Sequence, residues 1–537
     1  MHIPTADTAR RVKAQPPETA DVAIIGAGLG GLMTAARLAQ EGRRVVVLDQ
    51  HYVAGGCATM FSRGSGESRV QFDIGLHYVG ECGPGGKVTR MLDEVGVPVE
   101  WVKLDDDGFD ELVFPDFRFP IPASLDLYRD RLLERFPTER AGIDRYIRVC
   151  REVRHLGRDG APRGWAQAID ALLHGRLAAW YKNTTLAEFL DTCTKNPQLR
   201  AVISGQNGDY GLPPSKVSLL LHCGLAMHYF GGAWYPRGGG QVIADRLAAR
   251  IETLGSSVHL RHAVNEVIVE GGRAVGVRYT RPHGEQAVLR ASVVVSNADP
   301  KLTFRKLAPA VPELAPLAQA AERWEMGGAI FLTCLAVRAD LGALGMRARN
   351  YWVFDSYDFE EMYRSVSAES VPDSRGCYIT SATRKDPDTP GHAPPGVETV
   401  EIMALVPGGS RAWGVDNTEA YGPAYRSGTD YAATKARYEE QMIGRLELLF
   451  HGSTAEIVHR ESATPVTQTR FTWASEGTGY GLAATPAQFM ANRPGARTPL
   501  PGFYLCGAST RSGHGIIGAL ASGVQAARAV VREREAS

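Results

Sequence analysis

The stretch DVAIIGAGLGGLMTAARLAQEGRRVVVLD, residues 21–49, decides the fold. Val22 to Ile25 read as a buried strand, GLMTAARLAQEG as an amphipathic helix and RRVVVLDQ as a second strand, which together make a βαβ unit. Gly26, Gly28 and Gly31 form GxGxxG between the first strand and the helix. There they permit a tight turn, a close backbone approach to a pyrophosphate and close helix packing. The helix N-terminus turns its positive end toward the phosphates. Asp49 closes the second strand, placed to accept hydrogen bonds from the adenosine ribose hydroxyls. The unit predicts an α/β fold that holds a dinucleotide, and because FAD and NAD share this fingerprint it does not separate them.

A chain of 537 residues exceeds what one core usually organises, so two domains are expected. Lys plus Arg and Asp plus Glu each number 59, the net charge is zero and the pI is about 7.2, which predicts no nucleic-acid partner. Eight cysteines without a CxxC pair indicate neither a zinc site nor a disulfide framework and suit a cytoplasmic protein. Residues 1–19 read as a polar tail without the apolar core of a signal peptide, and no transmembrane helix is expected. His222 and His228 are six apart with no accompanying carboxylate pattern, so no metal site is expected.

Beyond the first unit, Leu125 to His228 has helical spacing, as in LDLYRDRLLERF and GIDRYIRVCREV, and reads as an insertion. Glycine-rich sequence returns at Tyr235, followed by a helix, the strands SSVHLRHAVNEVIVEG and RAVGVRYT, and a β-rich run ending VVVSNADP. The Pro-rich segment Asp386 to Gly396 reads as a lid or a surface excursion. From Gly502 a strand, a glycine turn and a last helix rejoin the nucleotide domain. The expected dinucleotide domain is 20–110, 232–300 and 455–537; the substrate domain is 111–231 and 301–454.

Further segments resemble a known family. AGGCATMF, with Gly55 and Gly56 soon after Asp49, resembles the glycine-pair segment of the FAD-binding amine oxidase and phytoene desaturase superfamily. FDIGLHYVG and WYPRGGGQVIADRLAARIETLG are similar to segments of the retinol saturase and carotenoid isomerase branch. VNEVIVEGGRAVGV resembles its adenine-contacting strand pair, and GFYLCGASTRSGHGIIGALASG its C-terminal signature. The resemblance implies an FAD-binding Rossmann-like domain of glutathione-reductase type, interleaved with an α+β substrate domain, and non-covalent FAD. It places the cofactor against Gly55, Gly56, Val264, Val267, Gly507, Gly515 and Ile516. Cys57 stands where many members carry Arg, which leaves Arg63 as a substitute phosphate partner.

The implied activity is hydride transfer between flavin N5 and C=C or C–C bonds of a long polyene or isoprenoid chain, as reduction, isomerisation or desaturation, with a lean toward the first two. NAD(P)H, where it serves as reductant, must bind without a Rossmann unit of its own. Alternatives are a polyketide-polyene tailoring enzyme, such as a reductive cyclase of tetramate macrolactams, an amine oxidase using oxygen, and a non-catalytic flavin or prenyl carrier. An apolar substrate also leaves room for peripheral membrane contact. His228, Tyr229, Phe230, Trp234 and Tyr235 are expected to line the substrate channel, Trp234 and Tyr235 near the isoalloxazine. His77, with Tyr78, is a candidate proton donor, and His514 a candidate to stabilise negative charge on the flavin.

Overall fold

The computed structural model describes residues 15–158, 180–308, 311–366, 369–416 and 419–535. Two seven-stranded sheets organise them. In the first, Ser257–Leu260, Val45–Asp49, Thr19–Ile25 and Gln286–Ser296 lie side by side in parallel. Val45 to Leu48 are buried on both faces, which is why this strand is an unbroken apolar run. Gln286–Ser296 divides its far edge: residues 286–290 pair antiparallel with Arg273–Thr280, and residues 294–296 pair parallel with Phe503–Leu505. Ala263–Glu270 closes the antiparallel end.

The second sheet runs Ile457–Ala463, Ala329–Val337, Glu398–Val406, Gly376–Thr380, Asn350–Phe354, Asp110–Val113, Arg118–Ile121. Helices Leu125–Arg135, Arg140–Arg158, Leu186–Asp191, Pro197–Ser204 and Leu219–Tyr229 form the insertion, of which residues 159–179 lie outside the described residues, as do residues 1–14 of the expected tail. His222 locks Leu219–Tyr229 to its neighbours, with Nε2 3.0 Å from Tyr146 Oη and Nδ1 3.2 Å from Tyr210 Oη. It is a packing residue.

Three boundaries differ from expectation, and the segment from Asp386 takes the second of its two expected forms, a surface excursion. The run from Ser257 is two strands, because Arg261 turns to φ 61° and sends its N–H to His51 O, while His262 N–H goes to Asp49 O at 2.8 Å. Ile457–Ala463 pairs with Ala329–Val337 and so belongs to the substrate sheet. Phe304, Leu307, Leu314 and Ala321 pack with Ala23, Val46 and Leu505, so the start of the expected second domain covers the nucleotide sheet. The segment from Asp386 is pinned rather than lid-like: the buried Asp386 accepts from Gly238 N–H at 2.8 Å, with His392 Nε2 3.1 Å and Arg237 Nη1 3.2 Å away.

Among the described residues, no helix is long and apolar enough to cross a membrane and no cluster could hold a metal ion. All eight cysteines are free.

Candidate active site

The glycine turn is built by contact as much as by flexibility. Helix Leu29–Gln40 starts at Gly28 with no side-chain cap and no acidic residue in its first turn, leaving its N–H groups for a ligand. A Cβ on Gly31 would lie 2.1 Å from Gly26 O, so only glycine lets this helix sit down on the turn. Gly55, at φ 127°, donates its N–H to Ala27 O at 2.8 Å and brings Gly56 against Gly28. Asp49 receives the N–H groups of Ala27 at 2.6 Å and His51 at 2.7 Å and still faces the groove. Burial pushes its carboxyl up while those two N–H groups pull it down.

The groove continues into one cavity of about 870 Å³. Its far wall is apolar: Leu220, Leu221, Leu225 and Met227 from helix Leu219–Tyr229, and Trp352, Phe354, Leu332 and Met403 from the second sheet. Helix Gly515–Glu535 opens into the same space through His514, Gly515, Ile516 and Ile517. Between wall and helix start, Tyr78 stacks on Tyr229 with centroids 4.4 Å apart. Its hydroxyl lies 2.6 Å from Asp209 Oδ2 and 3.1 Å from Asp110 Oδ2.

The model of the family described as flavin containing amine oxidoreductase matches residues 29–531. The chain belongs to this family. The all-trans-retinol 13,14-reductase of Rattus norvegicus is 30% identical over 541 residues, covering 96% of this chain and 86% of that one. The chloroplastic prolycopene isomerase of Daucus carota is 24% identical over 542 residues, covering 96% and 80%. Among solved structures, an oxidoreductase from Methanosarcina mazei shares the fold with a TM-score of 0.60 at 19% identity, covering 95% and 99%.

As a flavin-containing amine oxidoreductase family member, the chain is an FAD-dependent oxidoreductase. The groove fits FAD on its own terms: an uncapped helix start, a Cβ-free floor at Gly28 and Gly56, an acid at the end of the second strand, and a second helix start at Gly515. Val264 lines the groove where a bulge breaks the strand, whereas Val267 does not face it and is core. Gly507, Gly515 and Ile516 line it. Cys57 lines it too, its Sγ accepting from Gln468 Nε2 at 3.2 Å.

Arg63 does not take the phosphate role expected of it. Its guanidinium is paired with Glu461 at 2.5 and 2.6 Å and faces a neighbouring cavity. The pair is half-exposed, so Arg63→Ala should cost about 1 kcal/mol or less. Flavin content per chain should stay at the wild-type value; thermal unfolding and flavin absorbance check both.

Of the expected channel residues, His228 and Tyr229 line the cavity and the others do not. Phe230 packs on Tyr128, Trp234 against Gly83 and Gly232, and Tyr235 donates its hydroxyl to buried Asp73. His228 Nε2 accepts Gly80 N–H at 2.8 Å, and burial holds its imidazole down at about 4. His77 is buried, faces the cavity and has neither ring nitrogen hydrogen-bonded. Burial, then Lys385, keep it far below the usual histidine value. A neutral imidazole is a hydrogen-bonding group at neutral pH rather than a store of protons. His514 is held down at about 4 by burial and Arg493, so what it can offer the cavity is a neutral dipole.

Proposed function

We propose that this chain reduces or isomerises a C=C bond in an apolar polyene or isoprenoid chain. The observation that carries the reading is the continuity of the dinucleotide groove with a cavity walled by Leu220, Leu221, Leu225, Trp352 and Phe354. The retinol reductase and prolycopene isomerase relatives, named for actions on such chains, support it.

FAD, when bound, supplies two-electron chemistry to a substrate carbon beside its ring. The chain does the rest. The leucines of helix Leu219–Tyr229 and the aromatic wall opposite hold an extended apolar chain and exclude water, so one C=C is presented in one orientation. The start of helix Gly515–Glu535 offers backbone N–H groups and a positive dipole end to negative charge. The neutral His77 can hydrogen-bond a polar terminus of the substrate. In this reading NAD(P)H supplies the electrons, and a lipid surface serves as reservoir of the apolar substrate.

Anaerobic enzyme given NADPH and then all-trans-retinol or a linear carotene should show NADPH-dependent reduction of its flavin. Its product should gain two hydrogens or change only its double-bond geometry by mass and chromatography. Peroxide release with amines, and no reaction with any polyene, would overturn the reading in favour of an amine oxidase. Co-sedimentation with lipid vesicles tests the reservoir.

A further inference from the structure

Resting on that reading, we propose that Asp209 is the catalytic acid of the site, and that its proton sets the net direction as addition of hydrogen across the double bond. Asp209 lies on a short turn, Asn207–Asp209, and faces the cavity. That turn is fastened to the flavin side: Tyr480 donates its hydroxyl to Gly208 O, and its ring meets the His514 ring edge-on with centroids 5.7 Å apart. Tyr363 Oη, 2.8 Å from Asn207 Oδ1, fixes it from the other side.

Tyr78 has one hydroxyl proton and lies within hydrogen-bond distance of two carboxyl oxygens. Asp110 is already served by Gln206 Nε2 at 2.7 Å and Asn350 Nδ2 at 2.9 Å and does not face the cavity, so it is the member built to stay ionised. With Asp110 an anion taking the Tyr78 proton, the contact at 2.6 Å is attractive only if Asp209 carries a proton and donates it to the phenol oxygen. The electrostatics agree: burial and the neighbouring Asp110 hold the Asp209 carboxyl well above its ordinary range.

Saturating one C=C takes a hydride and a proton. The hydride, with its two electrons, goes to one carbon and derives from an external donor of the nicotinamide class. The displaced π pair forms the C–H bond at the neighbouring carbon as the Asp209 O–H bond breaks. Asp209 is left as a carboxylate, hydrogen-bonded by Tyr78, until water returns the proton. An acid kept protonated in the resting site gives a proton and does not accept one, which is the polarity of reduction and the reverse of desaturation.

Other titratable groups face Asp209. They are Asp110, Tyr78, Tyr229, Tyr363, Tyr480, His514, Tyr210 and Tyr378. Every tyrosine among them is pushed above its ordinary value, His514 is held below its own and Asp110 at about 6 is already ionised, so Asp209 is the group that changes charge as pH rises from neutral.

The test is Asp209→Asn in the FAD holoenzyme, read in two ways. Infrared spectra of the resting enzyme should show a protonated-carboxyl band that persists at neutral pH and is lost in D209N; this requires no turnover. With a polyene the wild type reduces, D209N should be slowed by about 10²–10⁴-fold, with unchanged flavin content and unchanged flavin reduction by NADPH. In D2O the wild-type product should carry one solvent deuterium beside the carbon that receives the hydride. A wild-type-minus-D209N difference spectrum that lacks a protonated-carboxyl band, the buried Glu401 carboxyl being common to both, or wild-type turnover by D209N, overturns the assignment while leaving the proposed function standing. If no polyene is turned over by the wild type, the function fails, and loss of the band in D209N still shows the resident proton. Should D209N not hold FAD, Tyr78→Phe provides the second variant. It removes the phenol between the carboxyls, and a carboxyl band unshifted in Y78F overturns the shared-proton geometry.

Discussion

Lys385→Met is expected to destabilise the enzyme by about 3–5 kcal/mol near neutral pH, because it strips the cation from a buried charge cluster. Lys385, Asp73 and Glu401 are all buried. The ammonium donates to His77 O at 2.6 Å and lies 4.5 Å from the centre of the Tyr235 ring. Asp73 receives the Tyr235 hydroxyl and Gly240 N–H and is the acid with more hydrogen-bond donors to its oxygens. Glu401 has one oxygen without a hydrogen-bond partner. Burial and the Asp73 charge lift Glu401 to about 8, and burial lowers Lys385 to about 8 against the pull of both carboxyls.

The pH dependence has a definite sign. A carboxyl whose folded-state value exceeds its unfolded one stabilises fully below the unfolded value and loses that contribution as pH rises through the folded value. Removing Lys385 lifts Asp73 and Glu401 further, so the penalty should be largest near pH 8 and shrink toward about pH 5, where Glu401 is neutral. Denaturant unfolding at the two pH values measures it, and Glu401→Gln added to the variant should recover part of the loss. An equal penalty at both pH values would mean that packing, not charge, is what Lys385 provides.

The same cluster shows where sequence reasoning stops. The dinucleotide turn is legible because its constraints are local: Gly26, Gly28, Gly31 and Asp49 act on one another within a single βαβ unit. Lys385, Asp73 and Glu401 meet only when the helix Ala382–Lys385, the strand Val70–Asp73 and the strand Glu398–Val406 come together. Tyr78, Asp110 and Asp209 likewise come from a loop, a sheet strand and a helical turn, and no spacing connects them. Tyr78 was visible as a candidate beside His77, but the acids that give it meaning were not. Arg63 misled for the same reason, since a cation after a glycine pair suits a phosphate until Glu461, 398 residues away, is seen to hold it. Aromatic residues mislead by direction: Tyr229 and Phe230 are adjacent, and one faces the cavity while the other faces Tyr128.

Gly31→Val should have the largest effect on the cofactor. The new Cβ would sit 2.1 Å from Gly26 O and 3.3 Å from Asn297 Cβ, and neither the carbonyl nor the helix can withdraw without opening the turn. Overpacking against backbone costs at least about 3 kcal/mol here, beyond what a side chain shifting aside would absorb. Because the strained atoms are those that approach the pyrophosphate, the loss falls on binding: about two orders of magnitude in FAD affinity, read as flavin lost on gel filtration and as a raised dissociation constant by fluorescence. Gly444→Ala is the matched control. It lies exposed in helix Thr429–Leu449 with no atom within 4 Å of the added Cβ, so it should stabilise by about 0.5–1 kcal/mol and leave flavin content unchanged. If Gly31→Val retains FAD at wild-type affinity, the turn relaxes without consequence, and the cofactor is held chiefly by Asp49 and the start of helix Gly515–Glu535. If it loses FAD while remaining folded, close helix packing at position 31 is what shapes the phosphate site.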